Sequence, residues 1–202
     1  MKKKGIAIVL AMLLALCIGV GATLAFITVE TQSIKNTFTY GDINIDLWEH
    51  KIKADGLTLD TAVVVRASQS GFKMIPGSTI AKDPTVTVKA DSEACWLFIK
   101  IEKGNAFDDF MTYTIAEGWT ELSAGVYYRA VAATVSDTNF PVLKDNQVSV
   151  KADVLKTKLN ELTDTTLPTL TFTAYAVQQA NVTDAATAWT IAQNNGILPP
   201  SP

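Results

Sequence analysis

From Asn36 onward the chain alternates apolar and polar residues. Phe38 and Tyr40, then Ile43, Ile45 and Leu47, are apolar, and Asp42, Asn44 and Asp46 separate the last three. Period two marks a strand with one wet face, so Asn36 to Leu47 is predicted as the first strand. Gly41 shifts the phase and predicts a bulge or kink. Glu49 to Thr61 is polar, contains Gly56 and reads as a loop. Thr61 to Arg66 and Phe72 to Ile75 are short β-prone runs, the second closed by Pro76-Gly77, a type II turn signal. In Thr85 to Ala90, Val86 and Val88 share one face, with Thr85, Thr87 and Lys89 on the other.

Asp91 to Glu93 turns the chain into Ala94 to Glu102. There Cys95, Leu97, Ile99 and Ile101 face one way, and Trp96, Phe98, Lys100 and Glu102 the other. Such near-continuous apolarity predicts a central strand. Phe110 to Ile115 and Trp119 to Leu122 read as a strand pair around Glu117-Gly118. Val126 to Val135, behind Ala124-Gly125, predicts a hairpin. Val154, Leu155, Leu159 and Leu162 fall at helical spacing, so Lys151 to Leu162 is predicted as an amphipathic helix. Thr169 to Gln179 is a strand with Leu170, Phe172, Ala174 and Ala176 on one face. Thr183 or Asp184 can cap a last helix, Ala185 to Gln193, carrying Trp189. Asn195-Gly196 stops it. Eight to ten strands with long crossovers predict a mainly β fold. It is a two-sheet antiparallel sandwich of jelly-roll type, with two short helices in its connections.

The first residues follow another pattern. Lys2, Lys3 and Lys4 precede an uncharged run from Gly5 to Val20, and small residues follow it. Charge, grease and small residues in that order make a secretory signal peptide. Cleavage after Ala25 puts Thr23 at the −3 position and leaves Phe26 as the new N-terminus; cleavage after Ala22 is the other choice. Two alternatives stand beside it. Gly5 to Val29 is long enough to span a bilayer as an uncleaved anchor, since about 20 residues suffice. Cys17 could mark a lipoprotein, although Leu16 before it is bulky. The resulting organisation is signal peptide 1–25, extended arm 26–35, β-sandwich 36–195 and Pro-rich tail 196–202.

Removing 25 of 202 residues leaves 177, enough for one domain. Lys+Arg falls from 17 to 14 against 20 Asp+Glu, a net charge near −6, which argues against nucleic acid as a partner. Cys95 alone would remain, and its alternation with Leu97 and Ile99 makes it a buried apolar residue. The single histidine, His50, stands at a predicted strand end and reads as a solvated side chain. A zinc protease motif needs a second histidine beside a glutamate. Asp108-Asp109 and Glu117 lie in a loop and a turn, where solvated charge is the default. Asp42, Asn44 and Asp46 match the start of a calcium loop, but Leu47 occupies the position that requires glycine. No catalytic residue, metal or cofactor is assigned.

The signal ending Ala22-Thr-Leu-Ala-Phe26 and the run Asn36-Thr-Phe-Thr-Tyr-Gly41-Asp-Ile-Asn-Ile-Asp-Leu47 come early. Ile75-Pro-Gly77, Lys82-Asp-Pro-Thr-Val86, Ala174-Tyr-Ala-Val-Gln178 and Ala188-Trp189 follow in order. On these residues the chain resembles the TasA/camelysin family of exported Gram-positive proteins, processed by a SipW-type signal peptidase. The resemblance implies a jelly-roll sandwich in a biofilm matrix or surface fibre. It also implies that the N-terminal segment of one subunit completes a sheet of the next. Here that donor is Phe26 to about Phe38, with Ile27, Val29 and Ile34 as side chains for pockets on the acceptor. The implied partners are other copies of the chain, the signal peptidase and other matrix proteins, with membrane contact only through an uncleaved signal segment. Two further readings stay open: a camelysin-like secreted metal-dependent peptidase and a monomeric membrane-anchored surface adhesin.

Overall fold

The computed structural model describes residues 42–104 and 106–194. The expectations for residues 1–25, 26–35 and 196–202, and for Gly41, lie outside these. Within them the fold is mainly β, with antiparallel pairing in every sheet. One sheet runs β2 (Leu59–Val65), β1 (Ile45–Ile52), β4 (Thr85–Val88) and β9 (Thr138–Pro141), in that order. A second runs β11 (Thr169–Gln178), β5 (Cys95–Gly104), β8 (Val126–Val131) and β7 (Thr120–Ser123). The third is small: β3 (Thr79–Ala81), β10 (Gln147–Val150) and β6 (Met111–Thr112). Three short helices join them: α1 (Phe107–Phe110), α2 (Lys156–Asn160) and α3 (Ala185–Gln193).

The predicted central strand is β5. It pairs along its whole length with β11, and from Cys95 to Lys100 with β8. One face sends Leu97, Ile99 and Ile101 into a core shared with Val86 and Val88 of β4 and Val148 and Val150 of β10. The other face buries Phe98 with Val126, Ala185 and Ala188. Helix α3 closes that second cluster, with Trp189 centred 5.3 Å from Phe98 and 5.2 Å from Tyr175. The helix starts where expected, because Asp184 Oδ1 accepts the Thr187 amide at 2.8 Å.

Elsewhere the chain departs from the sequence pattern. Strand β1 continues through Glu49, His50 and Lys51, read above as the start of a loop. Their polarity does not break the strand because Lys82 pairs with Glu49 and Asp83 with His50. Thr85 and Thr87, expected on a wet face, are buried. Thr85 donates to the Asp83 carbonyl, and Thr87 lies between Trp48 and Asn139. Phe72 and Met74 pack on the core without joining a sheet. Phe110 to Ile115 does not pair with Trp119 to Leu122. Strand β10, in a stretch to which no element is assigned above, takes Met111 and Thr112 instead, while β7 pairs with β8. The helix expected over Lys151 to Leu162 shrinks to α2, with the residue before it, Leu155, extended at φ −72° and ψ 137°.

Two turns use glycine as predicted. Gly77 has φ 78°, and Ser78 donates back to Ile75 at 2.9 Å, closing the Pro76-Gly77 turn. Gly125 has φ 75° between β7 and β8, and a Cβ there would lie 2.6 Å from the Ile101 carbonyl oxygen.

Phe98 is fully buried, so Phe98→Ala should cost roughly 3–5 kcal/mol in chemical denaturation. A loss below about 1 kcal/mol would show that α3 does not seal this face. The turn before β2 makes a prediction about acid. Asp55 accepts the Thr58 hydroxyl and the Leu57 and Thr58 amides, which hold its carboxyl down from 3.8 to about 2. Because the folded value is depressed, the turn's stabilisation is complete above pH 3.8 and is lost as pH falls through about 2. An NMR titration of the Thr58 amide should show its midpoint at about 2; a midpoint at 3.8 contradicts the bonding.

Candidate functional site

The residues assigned to processing and assembly, Thr23, Ala25, Phe26, Ile27, Val29, Ile34 and Phe38, all lie outside the described residues. What the structure does define is the set of sheet edges to which an arm could add. A strand edge presents unpaired N–H and C=O groups, and proteins blunt such edges with charge, proline, bulges or brevity. Strand β2 carries Asp60 and meets β1 with a shift of register at His50/Lys51. Strand β9 is four residues long and contains Pro141. Strand β7 contains Glu121 and a register shift. Strands β3 and β6 have three and two residues.

Strand β11 has none of these protections. It runs ten residues, Thr-Leu-Thr-Phe-Thr-Ala-Tyr-Ala-Val-Gln, without charge, proline or glycine. Its register with β5 is unbroken, and among the described residues no strand pairs with its other side. The phase of the ladder shows which groups point outward. Just past the strand end, the Gln179 amide donates to the Ala94 carbonyl at 2.9 Å. Antiparallel pairing alternates from there, so odd-numbered residues of β11 bond to β5. The N–H and C=O groups of Leu170, Phe172, Ala174, Ala176 and Gln178 therefore point away from it.

An apolar groove lies beside this edge. Ile43 and Ile45, Ala174 to Val177 of β11 and Ala192 of α3 line a space of about 320 Å³. Ile43 stands one residue after Asp42, the first described residue. The sequence located the strand. It missed the edge, since nothing in one strand's pattern tells which neighbour it lacks.

The residues weighed for chemistry are placed as follows. His50 is not the solvated side chain expected. It lies within β1, about one fifth exposed, with Nδ1 2.5 Å from Asp83 Oδ2 and its amide donating to Oδ1 at 2.9 Å. Beside it Lys82 Nζ is 2.6 Å from Glu49 Oε2, and Gln69 Nε2 donates to Glu49 Oε1 at 2.7 Å and to the His50 carbonyl at 3.0 Å. A carboxylate orients this imidazole, but among the described residues no hydroxyl or thiol bonds to the ring. No group of three His, Cys, Asp or Glu side chains there is arranged to hold a metal. The network ties β1 to the chain entering β4. Asp109 and Glu117 are exposed, and Asp108 pairs with Lys103 at 2.8 Å. Asp46 is engaged by Arg66. Cys95 is buried, and that burial pushes its thiol up to about 11.

Proline scanning tests the phase of the β11 edge. Thr173→Pro removes an amide bonded to β5, whereas Ala174→Pro removes one that points outward. Thr173→Pro should cost about 1–3 kcal/mol more in denaturant unfolding. Equal costs would mean the assignment of inner and outer groups is wrong. Compared with known proteins, the chain matches no family model, no curated protein and no solved structure.

Proposed function

We propose that this chain is a secreted structural subunit of an extracellular matrix or surface fibre, of the TasA/camelysin kind. It assembles when the N-terminal arm of one copy adds as a strand to the outer edge of β11 in the next. The observation that carries this reading is that edge, ten residues long and unprotected beside an apolar groove. Two four-stranded antiparallel sheets sharing one core, with connections β4 to β5 and β8 to β9 that cross between them, support a sandwich of jelly-roll type.

The dimensions suit strand addition. Phe26 to Phe38 is thirteen residues, about 43 Å when extended at roughly 3.3 Å each. The edge of β11 needs about 33 Å. Ten backbone hydrogen bonds at about 0.5–1.5 kcal/mol each yield roughly 5–15 kcal/mol. Association costs a similar amount, about 4–15 kcal/mol. Backbone pairing alone therefore only balances the cost, and apolar side chains must tip it. Phe26, Ile27, Val29, Ile34 and Phe38 are the arm's candidates for that, and the groove at Ile43, Ala174 and Ala176 is its receptor.

Electron microscopy of the secreted protein with and without Phe26 to Ile34 tests the proposal. The full-length secreted form should give fibres. The deletion should give monomers with an unchanged melting temperature. Fibres formed by the deletion, or a full-length form that stays monomeric at every concentration, would overturn the reading.

A further inference from the structure

The chain has two arginines, and they are treated differently. Exposed Arg66 makes a two-pronged contact with Asp46 at 2.7–2.9 Å. Arg129 is half-buried in β8, opposite Leu97, yet no hydrogen bond or carboxylate reaches its guanidinium among the described residues. Its Nε is cut off from solvent without a partner. An orphaned donor of this kind calls for an explanation.

The surroundings hold the guanidinium in place. Its carbon lies 4.2 Å from the Phe140 ring centre and 5.4 Å from that of Trp119. Trp119 is fixed by its indole N–H, which donates to the Pro141 carbonyl at 2.9 Å. Gly118, at φ 85°, leaves room for the head: a Cβ there would come within 2.9 Å of Nη2. Burial lowers the pKa of the group and no opposing charge raises it. Ring contacts return only part of the desolvation cost of a cation. The fork of Nη1 and Nη2 is not sealed off as Nε is.

We propose that Arg129 is a carboxylate-binding position, filled by an acidic side chain of a second copy of this chain. A planar fork carrying one positive charge matches one carboxylate in charge and shape. A phosphate monoester or a sulfate dianion carries more negative charge than this one guanidinium answers, whereas one carboxylate is matched. Tryptophan, arginine and a neighbouring phenylalanine are the composition of a protein–protein hot spot, with Trp and Arg the most enriched. The chain has acid to spare, with 20 Asp+Glu against 17 Lys+Arg. Asp109, Asp145, Asp153 and Glu161 are exposed and in no ion pair among the described residues. The choice of a second copy rests on the subunit reading above and adds to it a contact away from β11.

Sedimentation velocity of the secreted protein tests this, with wild type, R129Q and R129K first matched by near-ultraviolet circular dichroism. Both variants should self-associate about tenfold or more weakly. Lysine should not rescue, because it keeps the charge and loses the fork. Polygalacturonate should not bind the wild type. Equal association by all three proteins overturns the inference and leaves strand addition standing. A wild type that never associates overturns both. Polygalacturonate binding that R129Q abolishes assigns the position to a polysaccharide and overturns the second copy as occupant.

Discussion

The constraint that shapes this fold is the two-sided burial of β5 from Leu97 to Ile99, where both edges are paired and both faces are covered. A strand so placed can carry almost no charge along its middle, and Leu97, Phe98 and Ile99 are fully buried. The constraint passes to β11. Its even-numbered side chains pack against the main core, and Tyr175 and Val177 pack under α3. A lysine or glutamate at Ala174, Tyr175 or Ala176, opposite Ile99, Phe98 and Leu97, would be driven into one of those two layers, at several kcal/mol for an unpaired charge. Over those three residues the strand therefore cannot defend its outer edge with charge. The proposed site is the place where the demands of the core leave an edge without protection, and an added strand is the physical solution that suits it.

The first sheet solves a different problem. Strand β1 carries Glu49 and His50 where their side chains are mostly enclosed, and Lys82 and Asp83 partner the two side chains from the segment leading into β4. Gln69 bridges Glu49 and the His50 carbonyl, and Lys82 also lies 4.8 Å from the Phe72 ring centre. A half-satisfied polar network would weaken the sheet; this one is closed. It gives the chain's only histidine a structural place, positioning the Asp83-Pro84 turn from which β4 enters the core.

Much of this was legible in the sequence. The central strand, the β7–β8 hairpin, β11 and the Asp184-capped helix each announced themselves through local pattern or turn chemistry. The rest depends on partners distant in sequence. Polar Glu49 and His50 look like loop residues until Lys82 and Asp83 are seen beside them. Thr85 and Thr87 look solvent-facing until Trp48, Asn139 and the Asp83 carbonyl take their hydroxyls. Of the four residues at helical spacing, Val154, Leu159 and Leu162 pack on the core and Leu155 is exposed, and packing did not require the whole segment to be helical. Arg129 gave no signal at all, because its meaning lies in having no carboxylate partner among the described residues, which sequence cannot reveal. The edge of β11 belongs with it: that no described strand pairs there has no motif.

Residue-resolved hydrogen exchange, compared between monomer and assembled material, tests the central claim most directly. If β11 accepts a strand, the amides of Leu170, Phe172, Ala174, Ala176 and Gln178 gain protection on assembly, while those of Thr171, Thr173, Tyr175 and Val177 are protected in both states. Even-numbered amides that exchange at the same rate before and after assembly would contradict the account.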